Sequence, residues 1–144
     1  MKRAILSSLV LAVCACRAAS GTRTRAEMVG EILARLEATH ARTMEACALG
    51  ERPCAAASFA ATPPLSRMHS DLVALWLPSD LAVAKRQWLE SLDVYAQANE
   101  SLATPSCSGG TLEACVRRVK WAMEQAKRSL EGGTAALVGG VAAR

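Results

Sequence analysis

The sequence predicts an all-α fold, an antiparallel four-helix bundle, and three observations predict it. Apolar residues recur at steps of three and four over most of the chain, the spacing that lines one face of an α-helix. Aromatic residues make up 3% of the sequence and no stretch shows the alternation of a strand. Gly50, Pro53, Pro78, Pro105 and Gly132-Gly133 separate the periodic segments.

The first helix is expected from about Thr24 to Leu49, with Val29, Ile32, Leu33, Leu36, Met44 and Cys47 on its apolar stripe and Gly50 as its stop. His40 falls inside that stripe. An alanine-rich piece from Cys54 to Ala61 reads as one or two turns, after which Thr62-Pro63-Pro64 offers a cap and a proline at the first helical position. The second arm of the bundle is therefore expected to be interrupted near Pro63. Its main helix runs to Leu77 and carries Leu65, Met68, Leu72, Leu75 and Trp76 on one face, with His69 beside them. Pro78-Ser79-Asp80 breaks and recaps the chain. A third helix then carries Leu81, Ala84, Trp88, Leu92, Tyr95 and Leu102 up to Pro105. Thr111 caps the fourth, in which Leu112, Val116, Val119, Met123, Ala126 and Leu130 repeat as a seam and Gly132-Gly133 ends the helix. Residues 24–132 form the bundle domain and residues 133–144 a small apolar tail.

Short links between consecutive helices make them antiparallel neighbours. The end of the first helix, the start of the second arm, the end of the third helix and the start of the fourth then share one pole. Cys47, Cys54, Cys107 and Cys115 all lie there. Two disulfides are expected at that pole; three connectivities are open, and the local pairs Cys47 with Cys54 and Cys107 with Cys115 are preferred.

The first sixteen residues carry a different message. Met1-Lys2-Arg3 precedes an apolar run from Ala4 to Val13, about ten residues, which suits a secretory h-region and falls short of the ~18 of a spanning helix. Val13-Cys14-Ala15-Cys16 resembles the lipobox of bacterial lipoproteins, and that resemblance implies that residues 1–15 are a signal peptide. Cys16 would then be the lipidated N-terminus and residues 16–23 a tether. An alternative frame, Leu11-Ala12-Val13-Cys14, puts Val13 where a small residue belongs; ordinary secretion, with cleavage after Ala15 or Gly21, also fits the run. Arg17 is not the aspartate associated with inner-membrane retention, which favours the outer membrane.

Composition and motifs exclude more than they assign. Of the 17 basic residues Lys2 and Arg3 leave with the leader, so 15 stand against 13 acidic ones, a formal +2 that does not suggest a nucleic-acid partner. No Gly-x-Ser-x-Gly, His-Glu-x-x-His or phosphate-binding loop is present, and the cysteine spacings are not those of a redox Cys-x-x-Cys site. An enzyme is not expected, and no cofactor is implied.

Two groups of residues stand out as binding candidates. Trp121 lies about 180° from the seam of the fourth helix at ~100° per residue, and Arg117, Arg118 and Arg128 lie one turn before and two turns after it. Tryptophan and arginine are the types enriched at interface hot spots, so this face is a candidate partner-binding surface. The plainer reading is that the tail, the alanine-rich piece or the tether covers the indole, or that an arginine stacks on it. Glu113 before Arg117, and Glu124 before Lys127 and Arg128, have intrahelical pairing distances, the pattern of a solvated face; contact with anionic lipid is the other reading. His40 and His69, the chain's two histidines, are candidate ligands for haem or a metal in the bundle core, but two ligands make a poor metal site. The expected function is contact with another envelope protein, in an adaptor, assembly or pilotin-like role; the alternative is a periplasmic carrier of haem, a metal or an apolar ligand.

Overall fold

The computed structural model describes residues 24–104 and 110–142. Among them are four α-helices, α1 (Arg25–Ala48), α2 (Glu51–Ala74), α3 (Ala82–Glu100) and α4 (Leu112–Ala142), with a 3₁₀ turn at Ser79–Leu81 and no strand. Each helix packs on two others, α1 against α2 and α4, and α3 against α2 and α4, giving an all-helical bundle. Paired residues run in opposite directions along neighbouring helices: Arg35 meets Asp71 while Cys47 meets Cys54. Ser58 likewise meets Asn99 while His69 meets Asp93.

Helix α1 begins with a reciprocal cap: the Thr24 hydroxyl accepts from the Glu27 amide at 3.2 Å, and the Glu27 carboxylate accepts from the Thr24 amide at 2.7 Å. Its inward face is Val29, Ile32, Leu36, Thr39, Thr43 and Cys47. The two buried threonines are satisfied within the helix, Thr39 donating to the Arg35 carbonyl and Thr43 to that of Thr39. The chain reverses on Gly50, whose φ of 126° is accessible to glycine and strained for any other residue. Cys47 and Cys54 are bonded across that turn, as the sequence predicts. Cys115 is buried at the start of α4, at the same pole. Its expected partner, Cys107, lies outside the described residues.

The predicted interruption of the second arm does not occur, for α2 runs unbroken through Pro63 and Pro64. An interior proline costs about 3 kcal/mol, because the carbonyl four residues earlier loses its donor. Here those carbonyls belong to Phe59 and Ala60, both exposed residues on the outer side of the helix, where a carbonyl without its amide costs least. Burial of Leu65, Met68 and Leu72 at roughly 1.5–3 kcal/mol each rewards keeping their stretch in phase with Cys54, Ser58 and Ala61. Tertiary packing outweighs the local break.

Helix α2 stops at Ala74 rather than Leu77, and Leu75 is extended. Pro78 disfavours helical geometry at Leu77 and supplies no amide to the last turn. The Lys85 ammonium serves instead, donating at 2.7 Å to each of the Val73 and Leu75 carbonyls. Trp76, expected on the apolar face, is consequently outside the core and 69% exposed. The chain breaks at Pro78 as predicted and enters the 3₁₀ turn, but the predicted recapping does not occur, since neither Ser79 nor Asp80 caps a helix with its side chain. At the start of α4 the Thr111 hydroxyl does accept from the Ala114 amide at 3.2 Å.

The predicted stop at Gly132-Gly133 is also absent; α4 continues to Ala142, and Leu137 joins the core. Trp88, fully enclosed, lies against Gly133 so closely that a Cβ there would overlap the indole ring. Glycine is needed at this point for close approach of backbone to ring, not for a turn. Gly132, one residue earlier, has open space where its side chain would be.

These adjacent glycines make opposite predictions. Gly133→Ala forces the α4 backbone off Trp88 and should lower stability by about 1–3 kcal/mol or more. Gly132→Ala gains helix propensity at no steric cost and should raise it by roughly 1 kcal/mol. Urea denaturation of the two variants checks the sign difference, and equal shifts would contradict the packing described. Replacing Cys47 and Cys54 together by serine opens a short loop and should cost about 2–3 kcal/mol, read as a lower urea midpoint.

Candidate functional site

Helix α4 turns Val119, Ala122, Met123, Ala126 and Leu130 into the bundle, which fixes the direction of every other side chain on it. Trp121 points away from that seam and is 59% exposed. Beside it, between α3 and α4, is a shallow cleft of about 280 Å³ lined by Val94, Gln97, Ala98, Ser101 and Arg118. Val94 is itself an exposed apolar residue, so an indole and an isopropyl group face water on the same side of the molecule. Arg117, Arg118 and Arg128 are exposed along the same helix. The structure thus brings together Trp121, Arg118 and, from α3, Val94, which the sequence did not single out.

Of the elements that were candidates to cover Trp121, the tail as far as Ala142 is a continuation of α4 and the alanine-rich piece is part of α2, which packs on α1 and α3. The tether lies outside the described residues, as does Cys16. The guanidinium stacked on an indole is Arg25 over Trp76, 4.6 Å from the ring centroid. The expected pairing of Glu124 with Lys127 gives way to a bond between helices, in which the Lys127 ammonium lies 2.9 Å from Glu37 on α1 and 3.8 Å from Glu131. Its contact with Glu37 raises the Lys127 pKa.

The two histidines each meet a different residue of α3. His40 is half-buried, and its Nδ1 lies 3.2 Å from the Tyr95 hydroxyl, the rings meeting edge to face across the bundle from α1 to α3. Tyr95 has no exposed surface, and burial raises the pKa of its phenol. Burial, then the Lys120 ammonium, lower the pKa of His40, while Glu124 opposes them. His69 sits at the surface with Nε2 3.4 Å from Asp93, in a cleft of about 220 Å³ that also includes Ser66 and Glu100. Among the described residues no three His, Cys, Asp or Glu side chains are grouped to hold a metal ion.

Two arrangements carry no signal in the sequence periodicity. Ser58 donates to the Asn99 carbonyl at 2.5 Å and Asn99 returns its amide to the Ser58 carbonyl at 3.1 Å, a buried polar clasp between α2 and α3. The larger is a cleft of about 600 Å³ between α1 and α2, where Arg25, Met28, Ile32 and Trp76 surround the 2.6 Å ion pair of Arg35 with Asp71. The clue to it was Pro78, which ends α2 early and releases Trp76.

Compared with family models, with curated protein sequences and with solved structures, the chain matches none. The site therefore rests on its own chemistry.

The environment of His40 makes stability depend on pH. A histidine whose pKa is lower in the folded chain binds fewer protons there than when unfolded, so stability is fully present above the ordinary value near 6.5 and is lost as pH falls through the folded pKa. The urea midpoint should fall between pH 8 and pH 5, and His40→Gln should flatten that part of the profile. An unchanged slope in the variant would remove His40 as its source.

Proposed function

We propose that the chain is an exported, lipid-anchored, non-catalytic helical protein of the bacterial cell envelope that acts through protein–protein contact, in an adaptor, assembly or pilotin-like role. The single observation that carries the contact surface is Trp121, exposed beside Arg118 and Val94 on a face shared by α3 and α4. Exposed indoles are costly to leave in water, and tryptophan with arginine is the pairing that dominates interface energetics. Arg117 and Arg128 extend the face along α4 and favour a partner carrying acidic groups.

Export and anchoring are read from the N-terminal residues: the basic Lys2-Arg3, the apolar run to Val13 and the lipobox-like Val13-Cys14-Ala15-Cys16. The Cys47–Cys54 bond suits an oxidising compartment such as a periplasm. In this reading Cys107 pairs with Cys115, completing a second link at the same pole, and Arg17 after the lipidated Cys16 directs the protein to the outer membrane. The reading needs no cofactor and no nucleic acid.

Site-specific photo-crosslinking in the native envelope tests the contact surface. A photoreactive residue at position 121 should trap one defined envelope protein, while the same residue at Ser66, on the outer face of α2, should not. Trp121→Ala should weaken that contact by about 2 kcal/mol or more, roughly thirtyfold, while changing folding stability by within ~0.5 kcal/mol. Equal yields from both positions, or none from 121, would dismiss this face.

A further inference from the structure

At one end of the bundle four apolar side chains stand in water. Trp76 follows α2 and is 69% exposed; Val83, at the start of α3, is 63% exposed; Val138, near the end of α4, is 60% exposed; Val73, in the last turn of α2, is exposed as well. Val83 and Val138 lie five residues on either side of the contact between Trp88 and Gly133, so antiparallel α3 and α4 bring them to the same height. Thr24, from which the preceding chain departs, lies at this same end as the cap of α1. The apolar groups thus stand at the end of the bundle where an N-terminal anchor would enter the domain, with Trp76 beside Arg25 at the start of α1.

The segment bearing Trp76 is held in place, since Lys85 grips the carbonyls on both sides of Ala74 and the Arg25 guanidinium lies over the indole. An indole with a cation stacked on it suits the interface between phospholipid headgroups and acyl chains. The ring displaces water there while the guanidinium stays among the phosphates. Of the acids near this end Glu27 caps α1 and Asp71 pairs with Arg35, while Glu31, in the cleft with Arg25 and Trp76, and Asp80, in the 3₁₀ turn, are exposed carboxylates that oppose contact.

We infer that this end of the bundle docks on a phospholipid bilayer, with Trp76 and the three valines entering the headgroup layer and Arg25 meeting the phosphates. The inference rests on the proposed acylation of Cys16, after which residues 17–23 span at most ~25 Å and keep this end within reach of the membrane. It adds to that reading a defined orientation: the helices stand on the bilayer, the Cys47–Cys54 pole faces away, and the Trp121 face stays lateral and open to a partner. The opposite pole exposes Leu49, and Phe59 stands further along α2 at the level of Asn99 and of the Trp121 cleft; away from the proposed docking end, Phe59 supplies the control.

The test uses the mature protein purified from its membrane and placed in phosphatidylethanolamine–phosphatidylglycerol vesicles whose acyl chains carry bromine near the headgroup. Bromine quenches only indoles that enter the bilayer. Quenching is expected in the native protein, in Trp121→Phe and in Phe59→Ala, and most of it should vanish in Trp76→Phe, whose circular dichroism should be unchanged. Equal quenching in Trp76→Phe and the native protein, or no quenching in either, overturns the inference, as does a dimer in detergent that Trp76→Ala dissolves. The N-terminal mass of the same sample separates this inference from the reading beneath it. An acylated protein without Trp76 quenching keeps the anchor and loses the docking. An unacylated protein whose Trp76 is quenched on adding vesicles loses the anchor and keeps the docking, and one without quenching loses both.

Discussion

Trp88 rests on the bare backbone of Gly133, and the length of the bundle depends on that contact. Any side chain at position 133 would push α4 away from α3 where the largest buried ring of the core must fit. With the contact made, α4 passes the glycine pair without stopping, buries Leu137 and carries Val138 to the end of the molecule. The same interaction sets the height of α4 against α3, and therefore which residues of the two helices share a level. The Trp121 cleft and the Val83–Val138 end are both consequences of that register.

Much of the core was legible because it follows from periodicity alone. Val29, Ile32, Leu36 and Cys47 of α1, and Val119, Met123, Ala126 and Leu130 of α4, are buried in the order their spacing demands. The outward direction of Trp121 followed from the same arithmetic. What periodicity could not reveal were the places where packing overrules a local signal. Pro63-Pro64 and Gly132-Gly133 are the strongest breakers in their segments, yet each lies within a helix. The first pair survives because the residues whose carbonyls lose their donors, Phe59 and Ala60, lie on the exposed side, and the second because Gly133 fills a steric need that only a tertiary neighbour creates. Trp76 failed in the other direction: its spacing from Leu72 fitted the apolar face, but the backbone left helical geometry at Leu75, one residue before it. The partners of His40 and Ser58 were illegible because Tyr95 and Asn99 come from a different helix, and sequence spacing says nothing of what faces a residue across a core.

The resulting molecule distributes its chemistry by position. One pole is closed by the Cys47–Cys54 bond across a single glycine, so the turn there is rigid. The other pole has exposed apolar groups and the stacked pair of Arg25 and Trp76. The interior is apolar apart from Thr39 and Thr43, satisfied within α1, and a few polar contacts that link helices, Tyr95 with His40 and Ser58 with Asn99, which fix how the helices meet more than how strongly they bind. The side between α3 and α4 offers Trp121. A protein held at one end, with a stiff body and an exposed indole on its flank, is suited to presenting a surface at a set distance from a membrane, and that is the role proposed for it.

The proposal as a whole turns on the N-terminus, because anchoring decides both compartment and orientation. Intact and peptide-level mass spectrometry of the protein from its native membrane fraction, before and after reduction, reads that point directly. The account predicts a chain beginning at an acylated Cys16 that gains the mass of four hydrogens on reduction, two for each of two disulfides. An unmodified terminus at Cys16 or beyond, recovered from a soluble fraction, would contradict it.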